Sequence, residues 1–376
     1  MSEMTSKLLL FSAEIIIFWA VLFAAQFNLR KKEHRVARTI VFILKLLLIP
    51  ASALLFVAIE CRFSYAHGDI ICALYVALIG DCAASIIEYL IRRLGKNTDQ
   101  DKAACKQKLI AVLSLVFCAA VTIYGALNAW NITMRTHEWT AKGLTQEHTF
   151  AFAADLHTGS AQTMDTLREF VDQVNDADPE FVILGGDVVD ELTSHDEMLE
   201  TFEILSKLEA PTYFIYGNHD RQPDADYVGG RTYTDEELVD ALKAADITIL
   251  SDEYIKVKDD IVLLGREDIS RKSDRKDWKD IENPYEGEGA LIVADHQPYD
   301  KEQLAEIEAP LQLSGHTHAG QMFPLQLVYK LIGIEPFGEF KHPGVTLFVT
   351  AGESDWMMPL RTEAHCEWEL ITIKPE

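Results

Sequence analysis

Five short apolar runs, each ending on residues that bind cations, restrict the fold of this chain more than any other feature. The run 150–154 is followed by Asp155-Leu156-His157, and the run 181–184 by Gly185-Gly186-Asp187-Val188-Val189-Asp190. The run 212–216 gives way to Gly217-Asn218-His219-Asp220, 291–294 to Asp295-His296, and 311–314 to Gly315-His316-Thr317-His318. Runs of this length, bounded by turn residues, read as buried strands, and α/β sheets gather their chemistry at the carboxyl ends of such strands. Helical spacing falls between them, with Leu167, Phe170, Val171 and Val174 in one stretch and Leu199, Phe202, Leu205 and Leu208 in the next. That alternation predicts a parallel core sheet with its loops collected at one edge.

Carboxylates, an amide and imidazoles in this mixture suit two divalent metal ions such as Mn, Fe or Zn, with one carboxylate free to bridge the pair. Cysteine contributes nothing here. Five of the six cysteines (Cys61, Cys72, Cys82, Cys105 and Cys118) lie in the first third and only Cys366 lies beyond it, which excludes a disulfide within the later part and leaves no zinc-finger spacing.

With all five blocks present in this order, residues 150–374 resemble the calcineurin-like metallophosphoesterases. Asp295-His296-Gln297-Pro298, the stretch 314–321 and Pro359-Leu360-Arg361 look like the bacterial membrane-associated YkuE-type subgroup, whose relatives include hydrolases of the lipid A precursor UDP-2,3-diacylglucosamine. The resemblance implies an α/β (α+β) domain built as a two-sheet β-sandwich flanked by helices. It implies that Asp155, His157, Asp187 and His318 hold one metal, that Asp187, Asn218, His296 and His316 hold the other, and that Asp187 bridges. The implied activity is phosphohydrolysis, with a metal-bridging hydroxide attacking a phosphoester or pyrophosphate in line. His219 is implied to contact the phosphate, beside Asn218, or to protonate the leaving oxygen, with Asp220 orienting its ring. Arg361 either contacts substrate phosphate or forms a structural ion pair, and Asp190 either supports a ligand histidine or serves a turn. On an extended backbone alternate side chains share a side, so Asp155 is expected beside His157, His316 beside His318, and His219 away from Asn218. His137, His148, His195, His342 and His365 match no motif position and are read as non-ligands. A function of another class is also open to such a chain: a catalytically silent sensor or transporter-associated module outside the cell.

The first third reads differently. Residues 8–27, 39–59, 69–91 and 109–129 are each apolar over the roughly 20 residues a helix needs to cross a bilayer, which predicts an all-α region of four transmembrane helices rather than a cleaved leader. Basic residues cluster in the first and third connections (Arg30, Lys31, Lys32, Arg35 and Arg38; Arg92, Arg93, Lys96, Lys102, Lys106 and Lys108), while the second holds only Arg62. The positive-inside rule then places those two connections in the cytoplasm and the rest of the chain outside the plasma membrane. The expected division is an anchor over 1–130, a polar juxtamembrane connector over 131–148 and a catalytic domain over 149–376. Glu14, Lys45, Asp69, Asp81 and Glu88 fall in or near the spans and form either a polar path or lipid-headgroup pocket, or simple helix pairing and snorkelling at the ends, with Lys45 and Asp69 close enough to an end to reach water.

Charge separates the two parts: residues 1–130 carry net +5 and the remainder net −30. So acidic a domain is a poor partner for a phosphate backbone, so nucleic acid is not expected as substrate. The expected partners are a phosphorylated small-molecule or lipid-linked substrate and the lipid bilayer. Thr234-Asp235-Glu236-Glu237 reads as a capping box, 247–250, 254–258 and 261–264 as short strands, and 345–350 with 368–373 as strands of a second sheet. The charged stretch 267–289 is either a lid or a solvated insertion. The apolar segment from Met322 to Phe337 either leans on the bilayer and admits a lipid-linked phosphate, or forms a helix buried under the sheet.

Overall fold

The computed structural model describes residues 3–28, 34–58, 65–94, 100–159, 161–221, 231–285, 289–298, 301–306 and 311–376. The chain divides into two compact units, Met1–Leu127 with Met322–Val328, and Asn128–Gln321 with Tyr329–Glu376.

The first unit is built on helices α1 (Glu3–Asn28), α2 (Arg35–Ala58), α3 (Tyr65–Leu94) and α4 (Gln100–Ala129). Three stretches are long and apolar enough to cross a membrane: Val36–Leu55, Ile70–Ile91 and Lys106–Ala129. The α1 helix contributes the shorter apolar stretch Phe11–Gln26. Large aliphatic side chains such as Leu47, Val112 and Val116 point outward, whereas Tyr75, Val76 and Leu78 of α3 are buried. Such an outward apolar surface suits lipid rather than water. Lys45 does not reach for water. It is buried against Asp81 of α3, and its ammonium also donates to Gln26 Oε1 at 3.0 Å and Leu22 O at 3.3 Å. Pairing of this kind removes the cost of an isolated charge among apolar helices.

The second unit holds two six-stranded sheets. Its strands are β1 (Thr133–Ala141), β2 (His148–Ala153), β3 (Val182–Leu184), β4 (Thr212–Phe214), β5 (Ile247–Ile249), β6 (Glu253–Lys258), β7 (Ile261–Gly265), β8 (Ala290–Ala294), β9 (Leu311–Ser314), β10 (Gly338–His342), β11 (Val345–Val349) and β12 (Glu367–Pro375). One sheet runs β1-β12-β2-β3-β4-β5 and the other β10-β11-β9-β8-β7-β6. Phe150, Phe152, Ile183 and Ile215 of the first meet Leu263, Ile292, Leu313 and Phe348 of the second in a common core. Helices α5 (Met164–Asp176), α6 (His195–Leu205) and α7 (Asp235–Ala244) cover the other face of the first sheet through Leu167, Phe170, Phe202 and Leu238. Thr234 opens α7 with the expected reciprocal cap to Glu237.

Two expectations are corrected. The strand expected at 368–373 for the second sheet is β12 of the first, antiparallel to β2, with Leu370 opposite Ala151. Its Trp368 and Leu370 pack toward the helices, while Ile371 and Ile373 pack toward the second sheet. A strand buried on both faces belongs inside a sheet. The presumed connector 131–148 contributes β1, parallel to β12, whose burial alternates strictly from Thr133 to Thr140 as an edge strand's should. The stretch 267–289, read as a lid or a solvated insertion, is tied to its surroundings: Arg275 pairs with Asp295 at 2.6 Å, Arg271 reaches Asp235 at 3.5 Å, and just before it the buried Arg266 pairs with Asp252 at 2.7 Å against the Trp278 ring.

Candidate metal centre

The loops leaving β2, β3, β4, β8 and β9 converge, as parallel strands require. Ligand atoms of Asp155, His157 and His318 lie within 4.8 Å of one another, and so do those of Asp187, His296 and His316. Between the groups, His296 Nε2 stands 2.9 Å from Asp187 Oδ2 and 3.9 Å from Asp155 Oδ1. Asn218 stands between Gly217 and His219, whose N–H donates to Asp187 Oδ1 at 2.7 Å.

The backbone achieves this by a route other than the alternation expected. Asp155, His157, Asp187, His316 and His318 all have left-handed φ, between 44° and 72°. Side chains rarely adopt this conformation, which clusters at sites that need it. Hydrogen bonds from Asp155 N to Gly186 O at 2.9 Å and from His157 N to Asp187 O at 3.0 Å hold two of these turns in place. Two glycines leave the room: a Cβ on Gly217 would stand 2.2 Å from Asp187 Oδ1, and one on Gly315 would stand 2.4 Å from Asp155 Oδ2.

Cation chemistry follows from the unsatisfied atoms. Asn218 Oδ1 and His296 Nε2 are buried without a hydrogen-bond partner, the approach of His296 to Asp187 being close but misaligned. Atoms left so cost ~1–3 kcal/mol each. His296 Nδ1 donates to Gly185 O at 2.8 Å and His318 Nδ1 to Ser354 O at 3.2 Å, so the neutral rings carry their proton on Nδ1 and turn the Nε2 lone pair inward. His157 Nδ1 is held by Asp190 Oδ2 at 3.0 Å, and its Nε2 faces His318 Nε2 at 3.3 Å. Burial lowers the His296 pKa, but Asp187 and then Asp155 outweigh it and hold the ring well above the usual imidazole value. Burial, reinforced by His157, drives His318 well below it, and burial with His296 brings His316 down to about 4. Asp187 resists its own burial through His296 and His219 and stays well below the carboxylate range. A pocket with the inward lone pair of neutral His318, ionised Asp187 and a proton on His296 Nε2 that a metal ion would displace is one that divalent cations fit.

Comparison with known proteins agrees. The calcineurin-like phosphoesterase family matches residues 148–320. The chain carries a calcineurin-like metallophosphoesterase domain. It is 31% identical to a metallophosphoesterase of Helicobacter pylori strain J99 over 62% of this chain and 61% of that protein. It is 27% identical to a transmembrane protein with metallophosphoesterase domain from Danio rerio, over 76% of this chain and 68% of that protein. It is 26% identical to the metallophosphoesterase YkuE of Bacillus subtilis, over 59% and 77%. The match thus spans about three-fifths of the length of the Helicobacter relative.

Beyond the candidate ligands, the phosphoesterase domain departs from expectation at two residues. Asp220 does not orient His219: its carboxylate accepts backbone N–H groups from Gly217 at 2.7 Å, Asp187 at 2.9 Å, Val188 at 3.0 Å and Val189 at 3.2 Å, so it fastens the Asp187 loop to the Asn218 loop. Burial and the nearby Asp187 push Asp220 up to about 7. Glu191 holds the ring instead, with Oε2 2.7 Å from His219 Nδ1, both groups buried. The ring stands toward the site rather than away from it, edge-on to His157 at 5.2 Å between centroids. Arg361 is the structural alternative: fully buried, it binds Asp355 Oδ1 at 2.5 Å, Ala351 O at 2.8 Å and Ser354 O at 2.9 Å. It therefore braces the carbonyl that holds His318 instead of meeting substrate. Asp190 takes both of its anticipated roles, gripping His157 and accepting Leu192 N–H at 2.8 Å. Glu191 and Ser354 escaped the sequence reading, since a lone Glu after the Gly-Asp block and a backbone carbonyl carry no motif. The motif-free His148 bridges Glu180 and Asp260 at 3.0 and 2.9 Å, and His342 pairs with Glu335 at 2.9 Å.

Proposed function

We propose that this protein is a membrane-anchored hydrolase of phosphoester or pyrophosphate bonds working through two divalent ions. What supports the reading is the orphaned pair of buried ligand atoms, Asn218 Oδ1 and His296 Nε2, beside two groups of converging donors. Asp155, His157 and His318 would hold one ion, Asn218, His296 and His316 the other, and Asp187 both. Bound there, the ions supply an activated water and neutralise charge building on the phosphate oxygens. The remaining work falls to the chain. His219, fixed at Nδ1 by Glu191, presents Nε2 to pass a proton to the departing oxygen. Asn218 and His219 flank the phosphate, and Asp220 keeps their loop in register with Asp187. Mixed oxygen and nitrogen donors accept Mn, Fe or Zn, with availability deciding among them.

The finer reading is of four membrane spans with the acidic domain outside the plasma membrane and a phosphorylated small-molecule or lipid-linked substrate from the cell envelope, not nucleic acid. The basic first and third connections and the net −30 of residues 131–376 support it. Two measurements test this reading. With Mn added, purified protein should hydrolyse p-nitrophenyl and bis-p-nitrophenyl phosphate, and Asp187→Asn should abolish turnover; equal rates in the two proteins would point to a catalytically silent module. Protease added to intact cells should remove the acidic domain, and full protection would reverse the orientation.

A further inference from the structure

Between Gln321 and Pro336 the chain leaves the histidine loop and returns to it. The exit is fastened by Gln321, whose backbone N–H donates to His318 O at 2.9 Å and whose side-chain amide donates to Trp356 O at 3.2 Å and Met358 O at 3.0 Å. The return is fastened by Thr317, between the two ligand histidines, whose hydroxyl donates to Pro336 O at 2.5 Å. An excursion clamped at both ends to the loop carrying His316 and His318 has a built relation to the site. His318 stands four residues before Met322, so chain reach alone keeps the two within about 14 Å.

The excursion carries little but apolar surface. It contains a short helix, Leu325–Leu331, of which Leu325 is fully buried, as is Met322 just before it. The segment Met322–Val328 forms one compact unit with the helices, Met322 Sδ lying 3.8 Å from Cys72 Sγ of α3. Outward stand Phe323 at 55% exposure, Leu327 at 55%, Leu331 at 77%, Ile332 at 64% and Ile334 at 39%. This is neither the helix buried beneath a sheet nor an ordinary water-facing loop. Five large apolar side chains exposed within twelve residues are a concentration that soluble surfaces avoid. Phe323 and Leu327 belong to the same compact unit as the helices with the outward aliphatic surface, and Lys330, a little further along, can extend its ammonium toward headgroup phosphates while its stem stays apolar.

We propose that the excursion lies in the acyl region of the bilayer, and that the substrate is an amphiphile whose phosphate or pyrophosphate head is hydrolysed while its hydrocarbon tail stays in the membrane. The occupant of the patch is the lipid surface itself. The substrate half of this statement rests on the phosphohydrolase reading above; the membrane half does not.

The experiment uses the full chain in phosphatidylcholine vesicles. Phe323→Cys and Leu331→Cys, each carrying an environment-sensitive fluorophore, should be quenched by lipids brominated along the acyl chain and shielded from aqueous iodide; quenching by iodide alone overturns the membrane half. In parallel, the combined variant Phe323→Ser, Leu327→Ser and Leu331→Ser, which touches only exposed positions, is assayed on vesicle-borne phosphatidic acid and polyprenyl pyrophosphate and on soluble p-nitrophenyl phosphate. Turnover of a vesicle-borne substrate should fall about tenfold or more, as expected when three interfacial anchors are lost, with the soluble ester unaffected. Equal losses on both substrate types, or no loss on the vesicle-borne ones, overturns the substrate half. If the unaltered protein hydrolyses nothing, the phosphohydrolase reading fails, and the fluorophores still report on the membrane.

Discussion

Two buried polar clusters invite comparison. In the helical unit, Lys45 sends its ammonium protons to Asp81, Gln26 and Leu22 O, and among its partners only Asp81 Oδ1 is left without an acceptor role. In the phosphoesterase domain the charged groups are more numerous, yet Asn218 Oδ1 and His296 Nε2 are buried without a hydrogen-bond partner, although His296 Nε2 stands 2.9 Å from Asp187 Oδ2. Charges that close upon one another hold helices together; buried donors without a partner in the proposed metal centre are atoms that a cation would satisfy. The difference lies in direction, since both clusters are equally hidden from solvent.

The sharpest way to break this comparison is to remove the shared carboxylate. Asp187→Asn keeps the shape but takes away the charge that His296 and the backbone N–H of His219 approach. Hydrolysis should fall by about a thousandfold or more, the scale of losing an electrostatic anchor from a reaction centre, and the metal content of the purified protein should drop with it. Retained metal and retained turnover would leave the inward lone pairs without a purpose. Next in size is His219→Ala, which should cost about 10²–10⁴-fold where the leaving oxygen needs a proton, as with alkyl phosphates, and much less where it does not, as with p-nitrophenyl phosphate. Glu191→Gln should reproduce that leaving-group dependence at about 10–100-fold, the usual cost of removing the group that orients a functional imidazole. A uniform loss across all leaving groups would make Glu191 a fold residue only.

How much of this was legible beforehand depends on how far the information travels along the chain. The proposed ligands announce themselves because each follows a strand within four residues, so a local motif is enough. Their left-handed backbone was not legible, since Asp-x-His and His-x-His read equally well as extended segments; Asp155 and His157 are held by bonds to Gly186 and Asp187 of another loop, and His316 N–H donates to the Asp155 carboxylate. Glu191 and Arg361 depended on partners fixed only by the assembled fold. The pairing of β12 with β2 spans more than half of the chain; periodicity reveals a strand but not its neighbour. Lys45 was misjudged because distance from a helix end says nothing about an Asp on the next helix.

The helical cluster should answer differently from the site. Lys45→Met leaves Asp81 as a buried carboxylate without its counter-charge and should lower stability by ~3–5 kcal/mol, whereas Lys45→Met with Asp81→Leu together should recover most of that loss. Thermal unfolding in detergent measures the first effect, and turnover per folded molecule should be the same in all three proteins. A double variant as unstable as the single would mean that Lys45 acts through Gln26 and Leu22 O rather than through charge.

The smallest effect concerns a pair of acids outside both clusters. Glu367 and Glu369 share one face of β12, and burial, then the neighbouring Glu369, raises Glu367 to about 8 despite Arg135 Nε at 3.1 Å. Because the folded state holds this proton more tightly than the unfolded chain does, folded protein carries more protons between pH 4.5, the ordinary glutamate value, and about 8. Stability should therefore fall as pH rises through that window and level off above it. Glu367→Gln mimics the protonated acid and can still accept the Ala351 N–H, which Glu367 takes at 3.1 Å. The variant should match the unaltered protein near pH 4.5 and melt a few degrees higher near pH 9. Identical melting curves at both pH values would show that Arg135 already neutralises the pair, making it a third cluster that closes upon itself, as the one around Lys45 does.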